Sequence, residues 1–402
     1  MKLGIAVTAA VVVAALAAAL PGATGAKERP ALGWAYATKQ LAWFDPATLR
    51  PLAGARVALR EGVCTSSFSP DGTRVALSSC SGQITFVDVR KMRRAGDMFV
   101  TSQLGAASAV AWLRPDRLLA TGVRDDDAAL AVIDPARRRV VRLVRLAGPA
   151  AGQTVLPGRR LVFLVGNYGS FGPARVAVAN AEGAVRTVVL DRISTGTVVR
   201  EDGDARSAES RGVGFAVDPA GGGAFVVAPD LTVAEVDLGT LDVSYHGPVR
   251  SLSKFVDGPA RQAAWLGNGI LAVAGADYAT TGTGSARRTN VTPYGLRLVD
   301  TRTWTSRTLD PHATGFLPGA GVVLVETPAP GHVRTVTAWG GDGQVRYTLK
   351  VPPQAYLNLQ AGRGYVCQSV RLVRVVAGAT GTTLAAPRGR SCVRLLGGSG
   401  TP

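Results

Sequence analysis

Apolar and polar positions along this chain fall into short extended runs separated by turn residues. The clearest unit is "SFSPDGTRVALSS" (67–79), two strand-like runs joined by a tight Pro-Asp-Gly turn. Weaker copies follow as "AVAWLRPDRLLATG", "GQTVLPGRRLVFLVG", "GFAVDPAGGGAFVVAPD", "QAAWLGNGILAVAG", "GFLPGAGVVLVE" and "AYLNLQAGRGYVCQ". Each has a short run, a turn containing Gly or Pro, and a strongly apolar second run. A second hairpin type alternates with the first, its opening run ending in Asp or a small polar residue. It reads "LAWFDPATLRPL" (41–52), "ITFVDVRKMRRAG" (84–96), "LAVIDPARRRVVRLV" (130–144), "VAVANAEGAVRTVVL" (176–190), "VAEVDLGTLDVSYHG" (233–247), "LRLVDTRTWTSRTLD" (296–310), "VTAWGGDGQVRYTLK" (336–350) and "VRVVAGATGTTLAAP" (373–387). Two hairpins per period of about 40 to 50 residues make four antiparallel strands, and a period of that length signals a propeller or a solenoid. Beyond the N-terminal segment no window carries a helical period.

Tandem four-stranded units predict an all-β fold, a single β-propeller, because radial closure removes the exposed edges that a long antiparallel sheet would leave. The residues also carry a family resemblance. "FSPDGTRVALSS" resembles the repeat of TolB-like propellers, and "VIDPARRRVV" is similar to the strand-turn-strand of surface-protein propeller repeats of the tryptophan-aspartate type. The resemblance covers nearly the whole chain after its first 26 residues. It implies the fold and no particular activity, since such propellers host unrelated functions. Blade count follows from the ends. Seven hairpin pairs are complete, and "GWAYATKQLAWFDPATLRPL" near the start lacks an innermost strand, which "SCVRLLG" (391–397) can supply. Eight blades, in preference to seven, are therefore expected, closed by pairing of N- and C-terminal strands.

The first residues, "MKLGIAVTAAVVVAALAAALPGATGA", read as a secretory signal peptide: one Lys, an apolar run from Leu3 to Leu20, a Pro-Gly break, and small residues up to Ala26. The expected division is a leader over 1–26 and a propeller domain over 27–402. An uncleaved anchor is the alternative, since about 18 apolar residues approach the minimum bilayer span. Either reading puts the body outside the cytoplasm. No Cys near the cleavage point offers a lipid attachment. In an oxidising compartment the four cysteines favour two disulfides, Cys64 with Cys80 and Cys367 with Cys392. A Pro70-Asp71-Gly72 turn sets Cys64 opposite Ser78 or Ser79, so a bulge or a frayed strand end must bring Cys80 across. Zinc is disfavoured, because His246, His312 and His332 all lack ligand spacing to a cysteine.

Charge narrows the partners. The 45 basic and 28 acidic residues give a net charge of +17. Removing Lys2 with the leader leaves +16. Nucleic acid is the usual partner of such a charge, but the export signal argues against it. An envelope protein, a glycan or an anionic polymer fits better, bound by a monomer without a cofactor. The competing account is compositional: a GC-rich genome writes Arg where others write Lys.

Candidate chemistry follows from sorting the connections. In a blade running from inner to outer strand, the second-to-third turns and the links between blades share one end. All the long loops fall there: 123–129, 166–175, 191–212 and 275–295. Function concentrates in such loops on a rigid scaffold. Asp125, Asp126 and Asp127 are candidates for a cation or ligand, against a merely solvated acidic turn. Tyr168, Phe171 and Tyr278 are candidates for stacking, and Arg287 and Arg288 for an anion. Asn290-Val291-Thr292 fits a glycosylation sequon, expected to be unused in a protein of bacterial character. The expected function is an extracytoplasmic binding or scaffold propeller. The alternative is a lactonase-like hydrolase or lyase with His332 as general base beside the Asp125 to Asp127 turn. No nucleophile elbow supports it, since Ser170 in "GNYGSFG" has no helix to follow.

Overall fold

The computed structural model describes residues 30–156, 160–202, 205–247, 258–282, 286, 288–319, 321–328, 334–352, 355–360, 363–368, 371–378, 380–385 and 391–396. The leader lies outside the described residues. Eight antiparallel sheets follow one another along the chain as the eight blades of a propeller, and two thirds of the chain is strand. Among the described residues the one α-helix is Thr101–Leu104, and no helix is long and apolar enough to cross a membrane.

Blade 1 closes the ring. Its strands Ala31–Ala35, Gln40–Phe44 and Val57–Ala58 come from the N-terminal side, and its innermost strand is Val393–Leu395, paired antiparallel as Gly33↔Leu395, Trp34↔Arg394 and Ala35↔Val393. The expected seam is therefore present. Hydrogen bonds from Tyr36 N to Cys392 O (3.1 Å) and from Leu396 N to Leu32 O (2.9 Å) extend it at both ends.

Both disulfides have the expected pairing. Cys367, in the second strand of blade 8 (Arg363–Gln368), meets Cys392 at a Cα separation of 6.0 Å, so the bridge crosses the seam. Cys64 and Cys80 are 5.4 Å apart at their Cα atoms. Their hairpin ladder runs only from Phe68↔Val75 to Thr65↔Ser78. Beyond it the strand frays, with Cys64 N still bonded to Ser78 O (2.8 Å), and the frayed end brings Cys80 across.

The second strands of the blades, such as Arg160–Val165 and Gly223–Val227, read as almost continuously apolar because they are buried on both faces, whereas outer strands such as Arg139–Leu146 are largely exposed. Among the described residues the buried apolar side chains form eight separate clusters, one at each junction between neighbouring blades. Alternation along a strand sends successive residues to opposite neighbours. In Arg117–Arg124 of blade 3, Leu118 and Ala120 pack toward blade 2 while Leu119 packs toward blade 4.

The second hairpin type owes its shape to one repeated turn. Asp45, Asp88, Asp134, Asp237 and Asp300 each stand four residues before a residue in the left-handed region: Leu49, Met92, Arg138, Leu241 and Trp304, with φ of 44° to 70°. Asp237 Oδ1 accepts hydrogen bonds from the N–H groups of Gly239 (2.7 Å) and Thr240 (2.8 Å), and Leu241 N donates back to Asp237 O (2.8 Å). Asp45 caps Ala47 N and Thr48 N in the same way. The carboxylate organises the turn locally and so holds a bulky residue where glycine would otherwise be favoured.

These carboxylates couple the fold to pH. The Arg302 guanidinium holds Asp300 down to about 2, and the Ser69 hydroxyl does the same for Asp71 in the opening hairpin. Backbone N–H donors lower Asp134 and Asp237. An unfolded carboxyl titrates near 4, so these groups bind protons less readily when folded and stabilise the fold fully above about pH 5. That contribution is lost as pH falls from about 4 toward about 2. The urea midpoint should hold from pH 7 to about 5 and then drop, and Asp300→Asn should flatten part of the drop. A midpoint that rises on acidification contradicts this account.

Candidate functional site

Strand alternation puts the turn between Arg117–Arg124 and Asp127–Asp134, the connection at 166–170, and the segments at 191–212 and 275–295 at one end of their blades. Two of these segments are not loops. The outer strand of blade 4, Val185–Asp202, runs for 18 residues. It pairs with Phe171–Ala179 up to Ala174↔Leu190, bulges at 191–193, and resumes at Pro173↔Ser194. It then leaves the blade and folds back as Ala205–Arg211 in a hairpin from Gly196↔Arg211 to Asp202↔Ala205. In blade 6, Ile270–Thr281 pairs with Leu296–Asp300 only up to Val273. Ala276–Thr281 pair instead with Arg288–Pro293, giving a second projecting hairpin.

The hairpins meet over blade 5. Gly212, at the foot of the first, forms a parallel bridge with Ala260 at the foot of the second, with Gly212 N to Pro259 O at 2.9 Å and Arg261 N to Gly212 O at 3.0 Å. Gly275 permits the second hairpin to leave its blade, because a Cβ there would lie 2.1 Å from the Ala260 carbonyl oxygen.

Arg261 holds this junction together. It is 6% exposed. Its guanidinium donates to the carbonyls of Pro229 (2.8 Å), Ala260 (3.1 Å) and Ala276 (3.2 Å). It also lies 2.8 Å from Asp277 Oδ1, an ion pair without good hydrogen-bond alignment. Arg261 (4.5 Å) and Arg297 (4.6 Å) both lie over the Tyr294 ring. The guanidinium thus ties the blade 5 turn to both strands of the blade 6 hairpin base. The blade 4 hairpin has its own anchor. Tyr245 of blade 5 donates to Asp191 at 2.5 Å and lies under Arg192, and burial with the Asp191 bond pushes the phenol up to about 12.

The residues singled out from sequence divide between these features. Tyr168 is exposed and bridges Thr197, while Phe171 lies under the Arg211 guanidinium at 4.2 Å, so both belong to the blade 4 hairpin. Tyr278, half-buried, stands between Gly258 and Val291 in the blade 6 hairpin, and Arg288 opens its outer strand. Asp125, Asp126 and Asp127 sit apart on blade 3. Asp125 and Asp126 occupy the left-handed positions of a tight turn, with φ of 52° and 67°. Asp125 lies between Arg124 (3.4 Å) and Arg145 (3.9 Å), and Asp127 Oδ1 accepts from Gly148 N at 2.9 Å. Among the described residues no three His, Cys, Asp or Glu side chains are grouped to hold a metal ion. Arg287 and His332 lie outside the described residues. Arg261 was not singled out from sequence; its signal is one Arg inside the apolar run "GPARQAAWLG".

No protein-family model matches the chain, and no curated protein matches it in sequence. Solved structures are similar to it in fold. The dihydro-heme d1 dehydrogenase NirN, solved in complex with DHE, aligns over 93% of this chain and 76% of its own, with a TM-score of 0.59 and 12% identity. Saccharomyces cerevisiae Sqt1 aligns over 84% of this chain and 86% of its own, with a TM-score of 0.50 and 9% identity. BamB from Moraxella catarrhalis covers 83% of this chain and 92% of its own at a TM-score of 0.47 and 11% identity. Identities this low carry fold and nothing more, and in fold the chain is an eight-bladed β-propeller scaffold.

Proposed function

We propose that this protein is an extracytoplasmic binding propeller, and that the two joined hairpins over blade 5 hold its partner, a component of the cell envelope or an anionic ligand. The observation that carries this reading is the outer strand Arg288–Pro293, in which all six residues are exposed and one edge is left unpaired among the described strands. A propeller closes on itself to remove edges, so a projecting hairpin whose other strand is anchored at its base by a buried guanidinium is an addition the ring does not need. Open edges with polar side chains suit recognition of extended chains. Two disulfides fit an oxidising compartment.

Replacing residues 279–290 by a tight turn removes the outer half of the projecting hairpin, including Arg288–Asn290, and leaves Arg261 and Asp277 in place. The variant should melt within a few degrees of the parent and lose most of its retention on a washed cell-envelope fraction. Retention equal to the parent's, followed by equal retention after the same treatment of residues 197–210, would place the working surface elsewhere.

A further inference from the structure

Across the ring from the hairpins, the seam blade carries a buried indole N–H with no acceptor among the described residues, beside a guanidinium with one hydrogen bond. Arg394, the middle residue of the innermost strand, stands in register with Trp34. Its Nη1 donates to Val63 O at 2.9 Å, and among the described residues no carboxylate pairs with it. The guanidinium is largely buried, which pulls its pKa below the usual arginine value, and the Tyr36 phenol lies close enough to interact with it. Trp34 is buried and its indole Nε1 has no acceptor. The Tyr36 ring lies 4.6 Å from that of Trp34, and the Tyr36 hydroxyl has no hydrogen-bond partner among the described residues. Tyr356, on the innermost strand of blade 8, borders the same group.

A largely buried cation with no carboxylate partner among the described residues and a buried indole N–H without an acceptor both cost free energy, and an anion seated between these cross-strand neighbours would relieve both. With Nη1 committed to Val63, the guanidinium retains its Nε–Nη2 edge, whose two parallel donors match a carboxylate. The adjoining Trp and Tyr rings favour a flat apolar body on that anion. We propose that Arg394, Trp34 and Tyr36 form a binding site for a small aromatic carboxylate at the ring seam. The site is separate from the hairpins, which belong to blades 4 and 6, and does not depend on their role.

Titration calorimetry on the full chain at low ionic strength, with benzoate, benzyl alcohol and inorganic phosphate as probes, tests this. Benzoate should bind with one-to-one stoichiometry, and benzyl alcohol and phosphate at least tenfold more weakly. Arg394→Lys, which keeps the charge and removes the fork, should weaken benzoate at least tenfold. Tyr36→Phe removes one hydroxyl, leaves the strand pairing untouched, and should weaken it about fivefold; it decides the question even if the lysine variant does not fold. Absence of benzoate binding, phosphate binding as tightly as benzoate, or unchanged affinity in Tyr36→Phe would overturn the assignment.

Discussion

Deleting residues 391–402 is expected to abolish the cooperative thermal transition rather than shift it. The segment contributes Cys392, Val393, Leu395 and Leu396, all less than a tenth exposed. Burial of the three aliphatic side chains stabilises the fold by about 5 to 9 kcal/mol at the usual value per residue. The Cys367–Cys392 bridge closes a loop with a sequence separation of 25, which adds about 3 kcal/mol in the chain-entropy model. Together these approach the whole net stability of a typical domain, about 5 to 15 kcal/mol. Deletion also leaves the inner edge of Ala31–Ala35 unpaired. Calorimetry should show a broad, low-enthalpy transition and the sample should aggregate. A truncated protein with a sharp transition within about 5 °C of the parent would show that the ring does not depend on its seam.

Arg261→Ala is expected to cost about 3 to 5 kcal/mol, the range for removing one partner of a buried ion pair. The substitution strands Asp277 and three carbonyl oxygens at the junction between blades 5 and 6. Arg261→Met keeps most of the volume and should lose nearly as much, because the cost lies in the groups left without a donor. Amide exchange should locate the damage: residues 276–281 and 288–293 should exchange faster while the strands of blades 2 and 3 keep their protection. If urea denaturation shows less than about 1 kcal/mol of loss, the guanidinium does not secure the hairpin base.

The propeller was legible in the sequence because most of its strands bury one face or both, and burial is what writes a periodic pattern. The seam could be read from arithmetic alone, since the first blade was one strand short and 391–397 offered one more. The projecting hairpins were read as loops for the opposite reason. Arg288–Pro293 is exposed at every position, so no alternation marks it, and its Thr, Asn and Pro look like loop composition. Phe171 stood out as an aromatic among glycines, yet Arg211, forty residues further on, covers it. No local pattern announces that contact. Arg261 shows the same limit, since its partners come from three separated segments.

The seam also orders events in time. Residues 391–396 are made after the strands of all eight blades except the one they themselves supply, so a chain emerging from the ribosome holds an open arc until that segment arrives. During that interval the free edge of Ala31–Ala35 is a template for another chain. The Cys64–Cys80 bridge can form as soon as blade 2 has emerged, whereas the Cys367–Cys392 bridge must wait for the closing strand. Oxidation of the second pair is thus a covalent record that a given molecule has finished becoming a ring.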